Sequence, residues 1–189
     1  MNKIPLKISY IFLIVIFSCT NTQTKENIIL SDSELEKRIS DFKELFNLRV
    51  SEDEKTFSQE QLIKIENQYQ IANKNFNSVE ANKALISLIN NEEFKGSNRI
   101  GCALLYLGQI SENDKKEKYL LEAKRNYTNS WYGDGVNVDA YATYHLYKYY
   151  KYIGKEEDAK KCKTEILDKY SSYIDHNHKY LKDILKTGN

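Results

Sequence analysis

The stretch VDAYATYHLYKYYKYIGKEEDAKKCKTEILDKY, Val138 to Tyr170, decides the fold. Its first half reads as a tyrosine-dense helix over 138–152 with Leu146 and Tyr150 facing a core, and Gly154 is the expected stop. Ala159, Cys162, Ile166 and Tyr170 then recur every three or four residues along a second helix. Two helices of about fifteen residues joined by so short a turn must lie antiparallel.

Working outward, the same period appears wherever the chain is punctuated. Ser33-Glu34-Leu35-Glu36 has capping-box form and leads into Leu35, Ile39, Phe42 and Phe46. Ser58 opens a helix carrying Leu62, Ile65, Tyr69, Ala72 and Phe76, and Ser78 opens another through Ala81, Leu85 and Leu88. Gly96-Ser97-Asn98 breaks the pattern before Ile100, Ala103, Leu104 and Leu107 resume it. Ser111 to Lys115 is a polar turn ahead of Tyr119, Leu120, Ala123 and Tyr127, and Trp131-Tyr132-Gly133-Asp134-Gly135 is the next turn. Ile174, Leu181 and Leu185 are expected on a closing helix. The only proline is Pro5 and no strand alternation occurs after residue 18. The prediction is an all-α domain over 32–189 of about seven helices, stacked as antiparallel pairs into a short α-solenoid.

The start of the chain is of a different kind. Lys3 and Lys7 precede the apolar run Ile8 to Phe17, which is half the ~20 residues that cross a bilayer, so residues 1–18 are expected to be a cleaved signal peptide. Ile16-Phe17-Ser18-Cys19 resembles a bacterial lipobox, and that resemblance implies lipidation of Cys19, palmitate included, with residues 19–31 as a flexible tether. Multiple acyl chains at ~0.8 kcal/mol per buried methylene give lasting membrane attachment. The expected location is therefore the bacterial cell envelope, on the outer membrane or its periplasmic face.

Cleavage leaves 171 of 189 residues and takes Lys3 and Lys7 but no acid, so 28 basic residues become 26 against 27 acidic. A balanced charge of this kind speaks against nucleic acid as a partner. Cys102 and Cys162 both sit on apolar helix faces, where a cysteine acts as a small hydrophobe. Neither has CxxC spacing, and no metal or cofactor site is expected.

The helix pair around Leu146, Tyr150, Gly154, Ala159 and Ile166 resembles a tetratricopeptide repeat, and Leu107-Gly108 resembles that family's Leu-Gly doublet. With Trp131 to Val136, Tyr141-Ala142 and Asp175-His176, the chain is similar to tetratricopeptide-type lipoproteins of Bacteroidetes-like bacteria. The resemblance implies a scaffold that binds an unknown protein or peptide partner, with no catalytic residues to transfer, so the chain is expected not to be an enzyme. It also implies that Tyr141, Tyr144, Lys148, Lys151 and Tyr152 line a concave groove, where stacking and charge-assisted hydrogen bonds would hold the partner. An alternative places a glycan or small molecule at Trp131 and Tyr132. A weaker one uses His176 and a metal, although on a helix His176 and His178 would point about 200° apart. His145 is expected to be a half-buried helical residue, and Gly133-Asp134-Gly135 to be turn chemistry.

Overall fold

The computed structural model describes residues 32–187. The signal peptide expected at 1–18, Cys19 and the tether at 19–31 lie outside the described residues. Within them are eight α-helices, one more than expected: α1 (Asp32–Thr56), α2 (Gln59–Lys74), α3 (Val79–Ile89), α4 (Asn98–Ile110), α5 (Asn113–Asn126), α6 (Val138–Tyr152), α7 (Glu156–Asp168) and α8 (Leu181–Thr187), with a single 3-10 turn at Glu92–Phe94. The fold is all-α.

The local punctuation reads as it should. Ser58 accepts from the Gln61 N–H while the Gln61 side chain accepts from the Ser58 N–H, a complete capping box. Ser78 caps α3 and Asn137 caps α6 through their side-chain oxygens. Gly154 ends α6 at φ +73°. Ser33 differs from expectation, because α1 already begins at Asp32 and the serine falls inside its first turn.

Helices α2/α3, α4/α5 and α6/α7 form three antiparallel pairs, and α8 packs on α7. One continuous core runs through them, from Ile65 and Tyr69 through Leu104, Leu107 and Leu120 to Leu146, Ile166 and Leu181. The close approach of α4 to α5 depends on Gly108, where a Cβ would come within 2.5 Å of the Leu120 side chain. The large Leu120 fits because its partner position has none. Cys102 and Cys162 are buried free thiols.

The connections that follow the second and third pairs are copies of one another. Isolated bridges join Trp131 to Asn137 and Ile174 to Tyr180, a step of 43 residues, and α5 and α7 begin the same step apart at Asn113 and Glu156. In the first loop Tyr132 donates to Val136 (2.8 Å), Gly135 to Tyr132 (3.0 Å) and Val138 to Ser130 (2.9 Å). In the second, Asp175 donates to Lys179 (2.9 Å), His178 to Asp175 (2.9 Å) and Leu181 to Tyr173 (2.8 Å). The left-handed residue of each tight turn is Gly135 at φ +92° and His178 at φ +57°. Such a period marks a repeat unit that buries its apolar faces by stacking. Ile174 therefore belongs to this loop and not to the closing helix, which starts at Leu181.

Helix α1 is no member of a pair. About 38 Å long at 1.5 Å per residue, it lies along the row of inter-pair loops like a strap. Its C-terminal half holds the start of α4: the Asp53 carboxylate accepts from the Asn98 N–H (2.8 Å) and from Arg49 (2.6 Å), while Arg49 also donates to the Gly96 carbonyl. Its Phe42 ring sits against Trp131 (5.3 Å) and Tyr173 (5.1 Å), one residue from each repeated loop. Phe42 of the expected apolar stripe thus packs on the loops, while α1 also meets α2 and α4.

Candidate functional site

The first helices of the three pairs, α2, α4 and α6, present a row of aromatic and polar side chains. A cavity of about 480 Å³ is lined by Tyr69 and Asn73 of α2 and Phe76 of the turn that follows it, by Arg99, Tyr106 and Gln109 of α4, and by Tyr132, Asp134 and His176 of the two loops. The i, i+4 spacing of Tyr69 and Asn73 puts both on one face of α2. A second cavity of about 540 Å³ lies under α1 and shares Arg99 with the first. Arg99 is held in place by Glu66 (Nε to Oε2, 2.8 Å) and lies 4.6 Å above the Tyr69 ring. This ion pair and its cation–π contact stand between the two spaces.

The floor of the first cavity is saturated. Tyr132 donates its hydroxyl to the Cys102 carbonyl (3.0 Å), and burial holds the Tyr69 and Tyr132 phenols well above their ordinary pKa. Burial likewise pushes the Cys102 thiol up to about 12 in spite of Arg99 nearby, so it is inert as a nucleophile. Tyr106 donates to the Ala72 carbonyl (3.3 Å), and its ring stacks on Phe76 at 5.1 Å.

The two loops meet at the cavity wall. His176 Nδ1 lies 2.7 Å from Asp134 Oδ2, a hydrogen bond between residues 42 positions apart. Burial alone would raise the Asp134 carboxyl, but the hydrogen bond and charge of His176, with the Val136 N–H, bring it below the usual carboxylate range. The imidazole edge also meets Tyr132 (4.8 Å) and Tyr141 (5.1 Å). With a neutral ring, Nδ1–H donates to Asp134 and Nε2 is left as an acceptor. Nε2 has no hydrogen-bond partner among the described residues.

Three of the five residues expected in the groove form one contacting group. Tyr141 and Tyr144 stack at 5.8 Å, and the Lys148 ammonium lies 5.5 Å above the Tyr144 ring. His176 joins this group to the cavity through Tyr141. Lys151 instead reaches Glu156 across the α6–α7 turn at 3.1 Å, and Tyr152 is 89% exposed at the helix end. His145, beneath Tyr141 and Tyr144, is driven by burial, and further by Lys148, Lys116 and His176, down to about 3. It is a neutral imidazole at pH 7, and its buried Nε2 has no hydrogen-bond partner.

The alternative site needs correction in half of its residues. Trp131 is 3% exposed, enclosed between Phe42 and Tyr173, and has no face to offer a ligand. Its indole is part of the seat for α1, while Tyr132 faces the cavity. Among the described residues no three His, Cys, Asp or Glu side chains converge as a metal site. His176 is turned to Asp134, and His178 lies across the loop with its Nε2 buried and unpartnered. Sequence reasoning did not connect Tyr69, Arg99, Asp134 and His176, which lie in four separate segments. The one available hint was the pair of turn motifs that carry Asp134 and His176.

No family model, curated protein or solved structure matches the chain.

Proposed function

We propose that this protein is a membrane-anchored bacterial lipoprotein acting as a non-enzymatic interaction module of tetratricopeptide type, whose helical domain captures a protein or peptide partner in the groove along α2, α4 and α6. The observation that carries this reading is the continuous aromatic row from Phe76 and Tyr106 through Tyr132 and His176 to Tyr141, Tyr144 and Lys148. Tyrosine gives large contact area at small entropic cost, and such residues dominate binding hot spots.

Photo-crosslinking in cells from a probe at Tyr144, with Ser111 as control position, tests the reading. A discrete protein adduct at Tyr144 alone is expected. Equal labelling from both positions would remove the groove assignment. Cys19→Ala should release the protein from membranes and abolish the diacylglycerol mass on the N-terminal peptide.

A further inference from the structure

The cavity beside the tyrosine row has a composition that selects its occupant. Its charged groups are engaged within the protein, Arg99 with Glu66 and the Asp134 carboxylate with the His176 Nδ1–H, so neither a strongly acidic nor a strongly basic group would find a free counter-ion there. Four rings, Tyr69, Phe76, Tyr106 and Tyr132, supply flat apolar walls, and Phe76 at the mouth is 66% exposed. Two of the phenol hydroxyls are already used, Tyr132 on the Cys102 carbonyl and Tyr106 on the Ala72 carbonyl. One nitrogen of the wall, His176 Nε2, remains open as an acceptor, oriented through the Asp134 contact at Nδ1. The amides of Asn73 and Gln109 complete the lining.

From this set we infer that the cavity is an anchor pocket for an aromatic side chain bearing a single hydrogen-bond donor, the phenol of tyrosine or the indole of tryptophan, with the O–H or N–H given to His176 Nε2. The inference rests on the groove being the partner-binding surface, and it names the partner's anchor residue. The ring stacks against Phe76 and Tyr106, while Asn73 and Gln109 meet the flanking peptide amides. A volume of about 480 Å³ suits a side chain with its adjoining backbone, being inside the roughly 300–1,000 Å³ of small-ligand sites. A sugar fits less well, because its hydroxyls point in all directions and the pocket has few uncommitted polar groups to meet them.

The test is a chemical-shift titration of the purified full chain with N-acetyltyrosinamide, N-acetyltryptophanamide and N-acetylphenylalaninamide. The two donors should bind about tenfold more tightly than the phenylalanine probe, the order of effect expected when one hydrogen bond is made or left unmade. His176→Ala should bring all three to the same weak affinity, with the helical circular dichroism retained. Phe76→Ala, at an exposed position that does not hold the core, should weaken all three by a similar factor and keep their ratio.

Equal affinity of tyrosine and phenylalanine probes, a ratio unmoved by His176→Ala, or the absence of any titration at millimolar probe would overturn the inference. Binding of N,N′-diacetylchitobiose in place of the aromatic probes would overturn it in favour of a glycan. A Tyr144 protein adduct in cells with no probe binding here would sink the anchor pocket alone and leave the interaction module standing. Loss of that adduct while the probes still bind would do the reverse.

Discussion

The loops at 130–138 and 173–181 share a backbone and almost no side chains. Trp131 stands where the second has Ile174, Gly135 where it has His178, and Val136 where it has Lys179. The same three hydrogen bonds close each, which teaches that the repeat is written in main-chain geometry while the side chains are free to specialise. The first loop is clamped from outside: Asn98 donates from Nδ2 to the Trp131 carbonyl and accepts at Oδ1 from the Trp131 N–H, both at 2.8 Å. Forty-three positions on from Asn98 the chain has Tyr141, which turns to His176 instead. The second loop is held from within, its Asp175 carboxylate accepting from the Asn177 and Lys179 N–H groups at 2.9 and 2.8 Å. One loop is thus a seat for α1, and the other brings an imidazole to the groove.

The strongest way to break this difference is Asn98→Ala. It would strip two buried backbone groups of Trp131 of their partners, each worth roughly 1–3 kcal/mol, so a loss of about 2–4 kcal/mol is expected. Urea unfolding monitored by the fluorescence of the lone tryptophan measures it directly. Trp131 exposure should precede loss of helix if α1 comes away with the clamp. Coincident transitions with an unchanged midpoint would mean that the loop closes by its own three hydrogen bonds, as the second one does.

Acid is a weaker lever and acts on α6, beside the second loop. His145 is faced by Lys148 from its own helix, by Lys116 from α5, and by His176 from the second loop, and burial is the first cause of its depressed pKa of about 3. Its ordinary value is 6.5, so the unfolded chain takes up a proton that the folded one refuses. Stability from this residue is complete above pH 6.5 and drains away as pH falls toward 3. The slope is at most about 1.4 kcal/mol per pH unit, which gives about 1–2 kcal/mol between pH 6.5 and 5, before most carboxylates titrate. In His145→Gln the fall over that interval should disappear. An identical fall in the variant would transfer the effect to other groups.

Much of this was legible in the sequence and some could not have been. Helix period and caps depend on neighbours within four residues, which is why Ser58, Ser78 and Gly154 read true. Cys102 and Cys162 were recognisable as core because they stand on apolar stripes. The 43-residue repeat of the loops stayed hidden because backbone hydrogen bonds leave no residue signature when Gly135 is matched by His178. Ile174 was taken into a helix for the related reason that a single apolar residue fits either period. The strap role of α1 was invisible too, since a stripe of Leu35, Ile39, Phe42 and Phe46 packs equally well on a helix or on loops. The contacts of Tyr141, Tyr144 and Lys148 follow from helix spacing within α6, whereas the Asp134–His176 contact joins residues that only the stacking of pairs brings together.

The smallest expected effect is the most exacting for the comparison, because it concerns the one backbone position at which the loops differ in conformational cost. His178 occupies the left-handed region at φ +57°, where a non-glycine residue carries roughly 1–2 kcal/mol of strain. Its ring also buries an unpartnered Nε2. His178→Gly would relieve both and give back about 0.5–1 kcal/mol through the greater freedom of glycine in the unfolded chain, so a net gain below about 1 kcal/mol is expected. The matching change in the first loop, Gly135→Ala, should go the other way. There the new Cβ would stand 3.0 Å from the Phe42 Cβ at φ +92°, so strain in the turn and displacement of α1 add together. Opposite signs in paired urea midpoints would establish that the two turns are one device filled by different residues. A destabilised His178→Gly would instead make that histidine a packing element of the second loop, and the likeness of the loops would end at their hydrogen bonds.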